Sequence, residues 1–374
     1  MRLLWLVANW KRTGPVEPSL DLAAALVRRG HEVLVATGRP VGAEADDAGE
    51  AAEARGLTRL HAGLVLSKHV RRLANRRDAG IVARQLRARP PDAVVSTIRN
   101  DHRILARAVS ASGLAVPLVR LWFDDATSPP SREEARLLAG AGRVVAFGRR
   151  PASALEALGI APGRIAVLPP PLELDRIRRA ASDVAGERAR LEASGSVPLV
   201  GLVARVQTHR RFELLFEALA LLRARGTRLR VVVIGRGTRF EEVAAEPVRR
   251  MRLEALVHFA GYLRGVRYAS TLAALDAQLF LVPGSDPTCR ALREGMALGV
   301  PSVATRRGLL PELVTDGVTG LLVDETAASL ADALERVASD PALRARLSAG
   351  ARAKAASFDV DQVAAELEAE IAAR

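Results

Sequence analysis

The chain has 374 residues, 49% of them hydrophobic, enough for two or three domains whose cores are built from Leu, Val and Ala, since aromatics are only 3%. The one cysteine, Cys289, excludes an intramolecular disulfide and fits a reducing compartment, and no apolar run approaches the ~18 residues of a membrane-crossing helix. The net charge is +13, only Lys11, Lys68 and Lys354 of the 55 basic residues are lysine, and the excess favours anionic partners: nucleotides, phosphates, anionic lipid heads or nucleic acid.

The opening run "MRLLWLVANWKR" is apolar but short and lacks an A-x-A-like cleavage site, so it reads as a first strand and not as a signal peptide. Strands are expected at 2–8, 31–37, 92–97, 116–122, 143–147 and 164–169. Helical stretches lie between them. In "SLDLAAALVRRG", Leu20, Ala23, Ala24 and Val27 share one face and Gly30 supplies the stop. "SKHVRRLANRRDAGIVARQLRAR" (67–89) is a basic helical region. The pattern loosens over the polar residues 173–198, which places the domain junction near 185–197 and divides the chain into 1–190 and 191–357. A second set of strands is expected at 198–204, 228–235, 256–261, 276–283, 300–305 and 319–324. Helical segments over 329–356 and 359–373 close the chain. The strand runs are near-continuously apolar, as in strands buried on both faces, so the fold class is α/β with two doubly wound, Rossmann-like parallel sheets. Two such domains side by side make a cleft, with ligands at the C-terminal ends of the strands.

The stretch "GSDPTCRALREGMALGVP" (284–301) sets two carboxylates around a helix start. Asp286 followed by Pro287 predicts an N-cap and first helical residue, with the helix running to about Leu298. Its amide end suits phosphate. Glu294, about 10 Å further in, shares a face with Ala291, Ala297 and Leu298 and needs a partner there. It is placed to meet another part of the same ligand. A plainer reading stands beside this one, in which Asp286 only caps and Glu294 pairs with Arg290 or is solvated. In "GLVARVQTHRRFELLFEALALL" (201–222), Arg205 at the strand end and Arg210 late in the loop can both face a pyrophosphate, which guanidinium groups bind bidentately. An arginine-rich chain also puts basic residues into most loops, and His209 reads as a loop histidine. Gly235 and Gly237 in "VVVIGRGTRFEEV" lack the third glycine of a dinucleotide fingerprint and read as a tight turn. "NWKRTGPVEPSLDLA" puts Gly14 in the first strand-to-helix loop, and "FDDATSPP" holds adjacent Asp124 and Asp125, not a spaced metal-binding pair. There is no Walker A pattern, zinc spacing or nucleophile elbow.

Together these segments resemble the family 4 retaining glycosyltransferases of the GT-B fold. "VARVQTHRRF" resembles V-G-R-L-x-x-x-K-G-F, with Arg205 on its arginine, Arg210 on its lysine and Arg211 on its glycine. "VPGSDPTCRALREGMALGVPSVAT" resembles P-S-x-x-E-x7-E-A-M-A-x-G-x-P-V-V-A, and "GLLPELVTDGVTGLLV" resembles G-G-x-P-E-x-V-x-D-G-x-T-G-x-L-V. The resemblance covers about 198–323 most strongly. It implies a nucleotide-sugar donor in the C-terminal domain, with Arg205 and Arg210 neutralising the diphosphate and Glu294 on the ribose hydroxyls. Amides around Thr288, Cys289 and Arg290 would meet phosphate, and Gly14 joins the donor site. Asp286 would stand near the donor sugar, one methylene shorter than the usual glutamate. In the N-terminal, acceptor-side domain the resemblance makes His102 and Asp124 catalytic-side residues, and Phe123 stands where a histidine often precedes the aspartate.

The function this implies is retaining, metal-independent transfer of a sugar from a nucleotide-sugar donor to a glycan or lipid-linked glycan. No cofactor, metal or nucleic acid is expected. The two domains would face each other across a cleft, and the closing helix, within 358–374, would cross back to the first. The protein is expected in the cytoplasm, with the basic region 67–89 either docking on an anionic membrane surface at the inner face or forming a solvated face. Two rivals are a nucleotide-sugar-binding homologue without turnover, favoured by Phe123 and Asp286, and a nucleic-acid binder, disfavoured by the few aromatics. A GT-B-like sugar-nucleotide epimerase is a third.

Overall fold

The computed structural model describes residues 1–12, 14–40, 46–123, 132–191, 197–283 and 288–373. The apolar runs become strands of two sheets, parallel throughout among the described residues. The first contains β1 (Arg2–Val7), β2 (Glu32–Thr37), β3 (Thr58–Arg59), β4 (Ala93–Ser96), β5 (Leu118–Trp122), β6 (Arg143–Ala146) and β7 (Ile165–Val167). Their order is β3-β2-β1-β4-β5-β6-β7. The second contains β8 (Leu199–Val203), β9 (Arg230–Ile234), β10 (Val257–Gly261), β11 (Ala277–Phe280), β12 (Ser302–Thr305) and β13 (Gly320–Val323), in the order β10-β9-β8-β11-β12-β13. Each sheet therefore reverses its winding once, between β1 and β4 and between β8 and β11. At these switch points the strand-end loops diverge and leave a crevice.

Alternation along β1 shows why its sequence is apolar throughout. Leu3, Trp5 and Val7 pack on one face of the sheet, Leu4 and Leu6 on the other. Trp5 is wholly buried, so its indole N–H needs a partner, and it donates to Ser19 Oγ at 2.8 Å. The second sheet is built the same way, with Val200 and Leu202 in one apolar layer and Leu199 in the other.

The chain forms two compact units. One comprises Met1–Leu172 with Asp359–Arg374, the other Glu173 onward to Phe358 apart from 286–288. The division thus falls at 172/173, ahead of the expected junction at 190/191. The reason is that the polar stretch read as a linker holds two short helices, Leu174–Ala180 and Val184–Arg190, that pack against the helix Gly265–Ala273 of the second unit. Asp183 N–H donates to Ser270 Oγ at 2.9 Å, and the buried Glu187 accepts from Thr271 Oγ1 at 2.9 Å. The closing helix Val360–Ala372 belongs to the first unit. Its Val360, Val363, Ala364, Leu367 and Ile371 join the core beneath the helix Val16–Arg28, and Arg28–Asp361 and Arg29–Glu368 ion pairs, each 2.7 Å, rim that contact.

Candidate functional site

The strand-end loops of the second sheet bring the expected phosphate-binding residues to its switch point. β8 is followed by Arg205, a short turn Thr208–Arg210 and the helix Phe212–Ala224. β11 is followed by a loop that leads into the helix Arg290–Ala297. Arg210 is 7% exposed, and its Nη1 donates to the carbonyl of Pro283, three residues past β11, at 2.5 Å. Its buried Nε has no hydrogen-bond partner. Among the described residues no carboxylate pairs with it. Burial, reinforced by the nearby Arg205 guanidinium and opposed by Cys289, lowers the affinity of Arg210 for its proton. Arg205 is exposed and forms no hydrogen bond or ion pair among the described residues. Two guanidinium groups that repel each other, one of them buried without a counter-charge, make a site that an anion would relax.

The loop after β9 fixes the Arg205 loop from the other side. Gly235 has φ +154°, and a Cβ there would lie 1.9 Å from the Ala204 carbonyl oxygen. At Gly237 a Cβ would lie 1.8 Å from the Val206 carbonyl oxygen. The glycine pair is the tight turn read in the sequence, and its purpose is close approach of two backbones.

The helix after β11 starts later than its sequence suggests. Its N-cap is Cys289, in a left-handed conformation at φ 53°, and its first residue is Arg290. A left-handed residue cannot continue a right-handed helix, so the turn ends at Cys289. Thr288 and Cys289 are buried. Asp286 and Pro287 lie outside the described residues, as does Asp124. Glu294 is 5% exposed and both of its oxygens are engaged: Arg290 Nε lies 3.0 Å from Oε1, and Tyr268 Oη donates to Oε2 at 2.6 Å. The Arg290 pairing is the plainer alternative weighed in the sequence. Tyr268 was not foreseen, because it stands on a different helix, Gly265–Ala273. The one available signal is rarity: the chain has two tyrosines, Tyr262 and Tyr268, and both fall within "GYLRGVRYAS". Burial, with the Glu294 charge beside it, raises the Tyr268 phenol well above its ordinary range, so it stays a donor.

In the first unit Gly14 lies between β1 and the helix Val16–Arg28, as expected. His102 is buried. It is 2% exposed on the helix Arg99–Ser112, with Nδ1 3.0 Å from Ser96 Oγ and Nε2 3.1 Å from the Leu137 carbonyl oxygen. Burial and then the Arg120 charge lower its pKa to about 4, so it is a neutral, structural ring. The neighbouring Asp101, absent from the expected site, is wholly buried at the β1/β4 switch point. It accepts amide protons from Ala8 at 3.2 Å, Thr97 at 3.1 Å and Ile98 at 2.9 Å. Phe123 is 2% exposed and stacks on Phe147 with centroids 4.4 Å apart. Among the described residues no group of three or more His, Cys, Asp or Glu side chains is placed to hold a metal ion.

Comparison with known proteins bears on both units. Residues 184–354 match the family "Glycosyl transferases group 1", and residues 13–171 match "Glycosyl transferase 4-like domain". A D-inositol 3-phosphate glycosyltransferase of Actinosynnema mirum is 32% identical over 256 residues, 65% of this chain and 60% of that protein. A GDP-mannose-dependent alpha-mannosyltransferase of Corynebacterium glutamicum is 35% identical over 138 residues, 37% of this chain and 30% of that protein. The chain spans 60% or less of the length of these two curated relatives. The structure of Anabaena HepE in complex with UDP covers 100% of both chains with a TM-score of 0.83 at 21% identity, which shows the shared fold, GT-B.

Proposed function

We propose that the chain, with residues 184–354 matching the group 1 and residues 13–171 the 4-like glycosyl transferase family, is an enzyme moving a sugar from a nucleotide-sugar donor, held by the second unit, to an acceptor. The observation that carries this reading is Arg210, a buried guanidinium with an unpartnered Nε and a second, exposed guanidinium close enough to repel it. As the glycosidic bond to the donor breaks, negative charge builds on the departing nucleoside diphosphate. Fixed guanidinium groups and helix-start amides stabilise that charge without reorganisation, and without calling on a metal ion. The family resemblance supports retention of the anomeric configuration, a place for Asp286 near the donor sugar and for Asp124 on the catalytic side, and an acceptor side in the first unit. A relative named for GDP-mannose and a structural neighbour holding UDP support a nucleoside diphosphate and leave several bases in play. Calorimetric titration of UDP, GDP and ADP tests this. At least one binds the wild-type chain, and Arg210→Ala or Arg205→Ala weakens that binding by about tenfold or more. Unchanged affinity in both variants rejects the assignment.

We assign the acceptor to the class of glycans and lipid-linked glycans, met at an anionic membrane surface on the cytoplasmic side. No helix among the described residues is long and apolar enough to cross a membrane. The support is a cationic surface on the first unit. Lys68, Arg71, Arg72, Arg76, Arg77 and Arg84 are exposed and form no ion pair among the described residues, and Leu73 and Val70 beside them are 81% and 48% exposed. Phe123, packed where the family often carries a histidine, favours a second reading, a donor-binding homologue without turnover. Release of free sugar or transferred product from the donor separates the two.

A further inference from the structure

Glu294 is the one buried carboxylate on the helix Arg290–Ala297, which closes the donor site. A carboxylate accepts hydrogen bonds and repels phosphate, so its ligand partner must be a hydroxyl or amine donor. Each carboxylate oxygen carries two lone-pair positions. Arg290 fills one on Oε1 at 3.0 Å, and Tyr268 fills one on Oε2 at 2.6 Å. One position remains on each oxygen, and the two point the same way only while the carboxylate plane is held. Arg290 alone would not hold it, because Arg290 and Glu294 are four residues apart on one helix and a free guanidinium prefers to take both oxygens of a carboxylate. Tyr268 reaches Oε2 from a neighbouring helix, through a rigid side chain with two rotatable bonds. It thereby blocks the bidentate arrangement.

We propose that Tyr268 is a positioning residue for the donor's ribose: with Arg290 on the other oxygen, its hydroxyl holds the Glu294 carboxylate so that the two remaining lone pairs accept the two ribose hydroxyls. The inference rests on the donor-site reading above and adds a selectivity to it. The site distinguishes ribonucleotides from deoxyribonucleotides, and the distinction depends on a phenol that touches no part of the donor. When Tyr268 is lost, Arg290 captures both oxygens, and the ribose faces an occupied carboxylate.

Calorimetric titration decides it, using whichever of UDP, GDP or ADP the wild-type chain binds, its 2′-deoxy counterpart and inorganic pyrophosphate. The wild-type chain binds the ribonucleotide about tenfold tighter than the deoxynucleotide. In Tyr268→Phe that ratio falls to about twofold or less, while pyrophosphate affinity stays unchanged. A purely structural role for Tyr268 would weaken all three ligands alike. That result, or a ratio that survives the substitution, overturns the inference. Should Tyr268→Phe fail to fold, Arg290→Met at a half-exposed position reports the same ratio, from which any lost phosphate contact cancels. A wild-type chain that binds none of the nucleotides refutes the donor site itself, and this inference with it.

Discussion

Asp101 and His102 are neighbours on one helix, buried to nearly the same degree, and their titrations oppose each other. Burial raises the Asp101 carboxyl to about 7, against the pull of Arg120 and of the Ile98, Ala8 and Thr97 amides. Burial and the same Arg120 lower His102 to about 4. The folded chain therefore holds the Asp101 proton from about pH 4 to 7, where the unfolded chain has released it, and this makes stability fall as pH rises through that window. His102 works the other way. Between about pH 4 and 6.5 the unfolded chain binds the proton that the folded chain refuses, so stability rises with pH. Each contribution is of the order of a few kcal/mol, and they offset each other in the wild-type chain up to about pH 6.5. In His102→Gln the Asp101 contribution stands alone, and the melting temperature of the first unit declines steadily from pH 4.5 to 7. In Asp101→Asn it climbs over pH 4.5 to 6.5. Profiles that stay parallel to the wild type in both variants would show that neither group titrates as its burial demands. The resemblance puts His102 on the catalytic side, while the burial of its ring follows from contacts with Ser96 and with Leu137, 35 positions away, that no local pattern shows.

At the scale of elements, what was legible followed from burial on both faces. Twelve strands announce themselves as continuous apolar runs because helices cover each side of their sheets. β3, only Thr58 and Arg59 at a sheet edge, is too short and too polar to do so. The helix Arg290–Ala297 was legible in kind but not in its start. Asp286–Pro287 has the local grammar of a helix entry, while the left-handed Cys289 that sets the entry is a conformation no local pattern favours in a cysteine. The helices Leu174–Ala180 and Val184–Arg190 were hidden by their polarity, since each buries few side chains and does so against a partner distant in sequence. The closing helix shows which contacts hold such an element. Leu367 is wholly buried under the helix Val16–Arg28, and Leu367→Ala should cost about 2–5 kcal/mol. Its rim pair Arg28–Asp361 is half exposed, and Asp361→Ala should cost less than about 1 kcal/mol. All three tryptophans, Trp5, Trp10 and Trp122, lie in the first unit, so denaturation followed by tryptophan fluorescence reads this unit alone. Equal losses from the two substitutions would mean that charge and not burial docks the helix.

Over the whole molecule the +13 charge is unevenly neutralised. Many arginines of both units sit against carboxylates, among them Arg2, Arg28, Arg29, Arg59, Arg188 and Arg225. Among the described residues the cluster from Lys68 to Arg84 does not, and the sequence explains why: between Glu53 and Asp92 the one acid is Asp78, which is buried and accepts the Val65 and Leu66 amides. Asn100 holds the same loop by donating to the carbonyls of Ser67 at 2.6 Å and His69 at 3.3 Å. The cations and the exposed Val70 and Leu73 are thus presented on a braced segment. Unpaired cations near an anionic bilayer contribute about 1 kcal/mol each, and an inserted leucine adds a hydrophobic contribution that salt does not screen. The two parts separate in a vesicle experiment. The chain should sediment with vesicles containing about a third anionic phospholipid and remain free of purely zwitterionic ones. Raising salt to 0.5 M should release most of it, because the Debye length then falls well below 8 Å. Arg72→Ser with Arg76→Ser should weaken binding by about thirtyfold, and Leu73→Ser should weaken it severalfold at every salt concentration. Equal retention by neutral vesicles, or capture by RNA with the same salt dependence and no effect of Leu73→Ser, would assign this surface to a different partner.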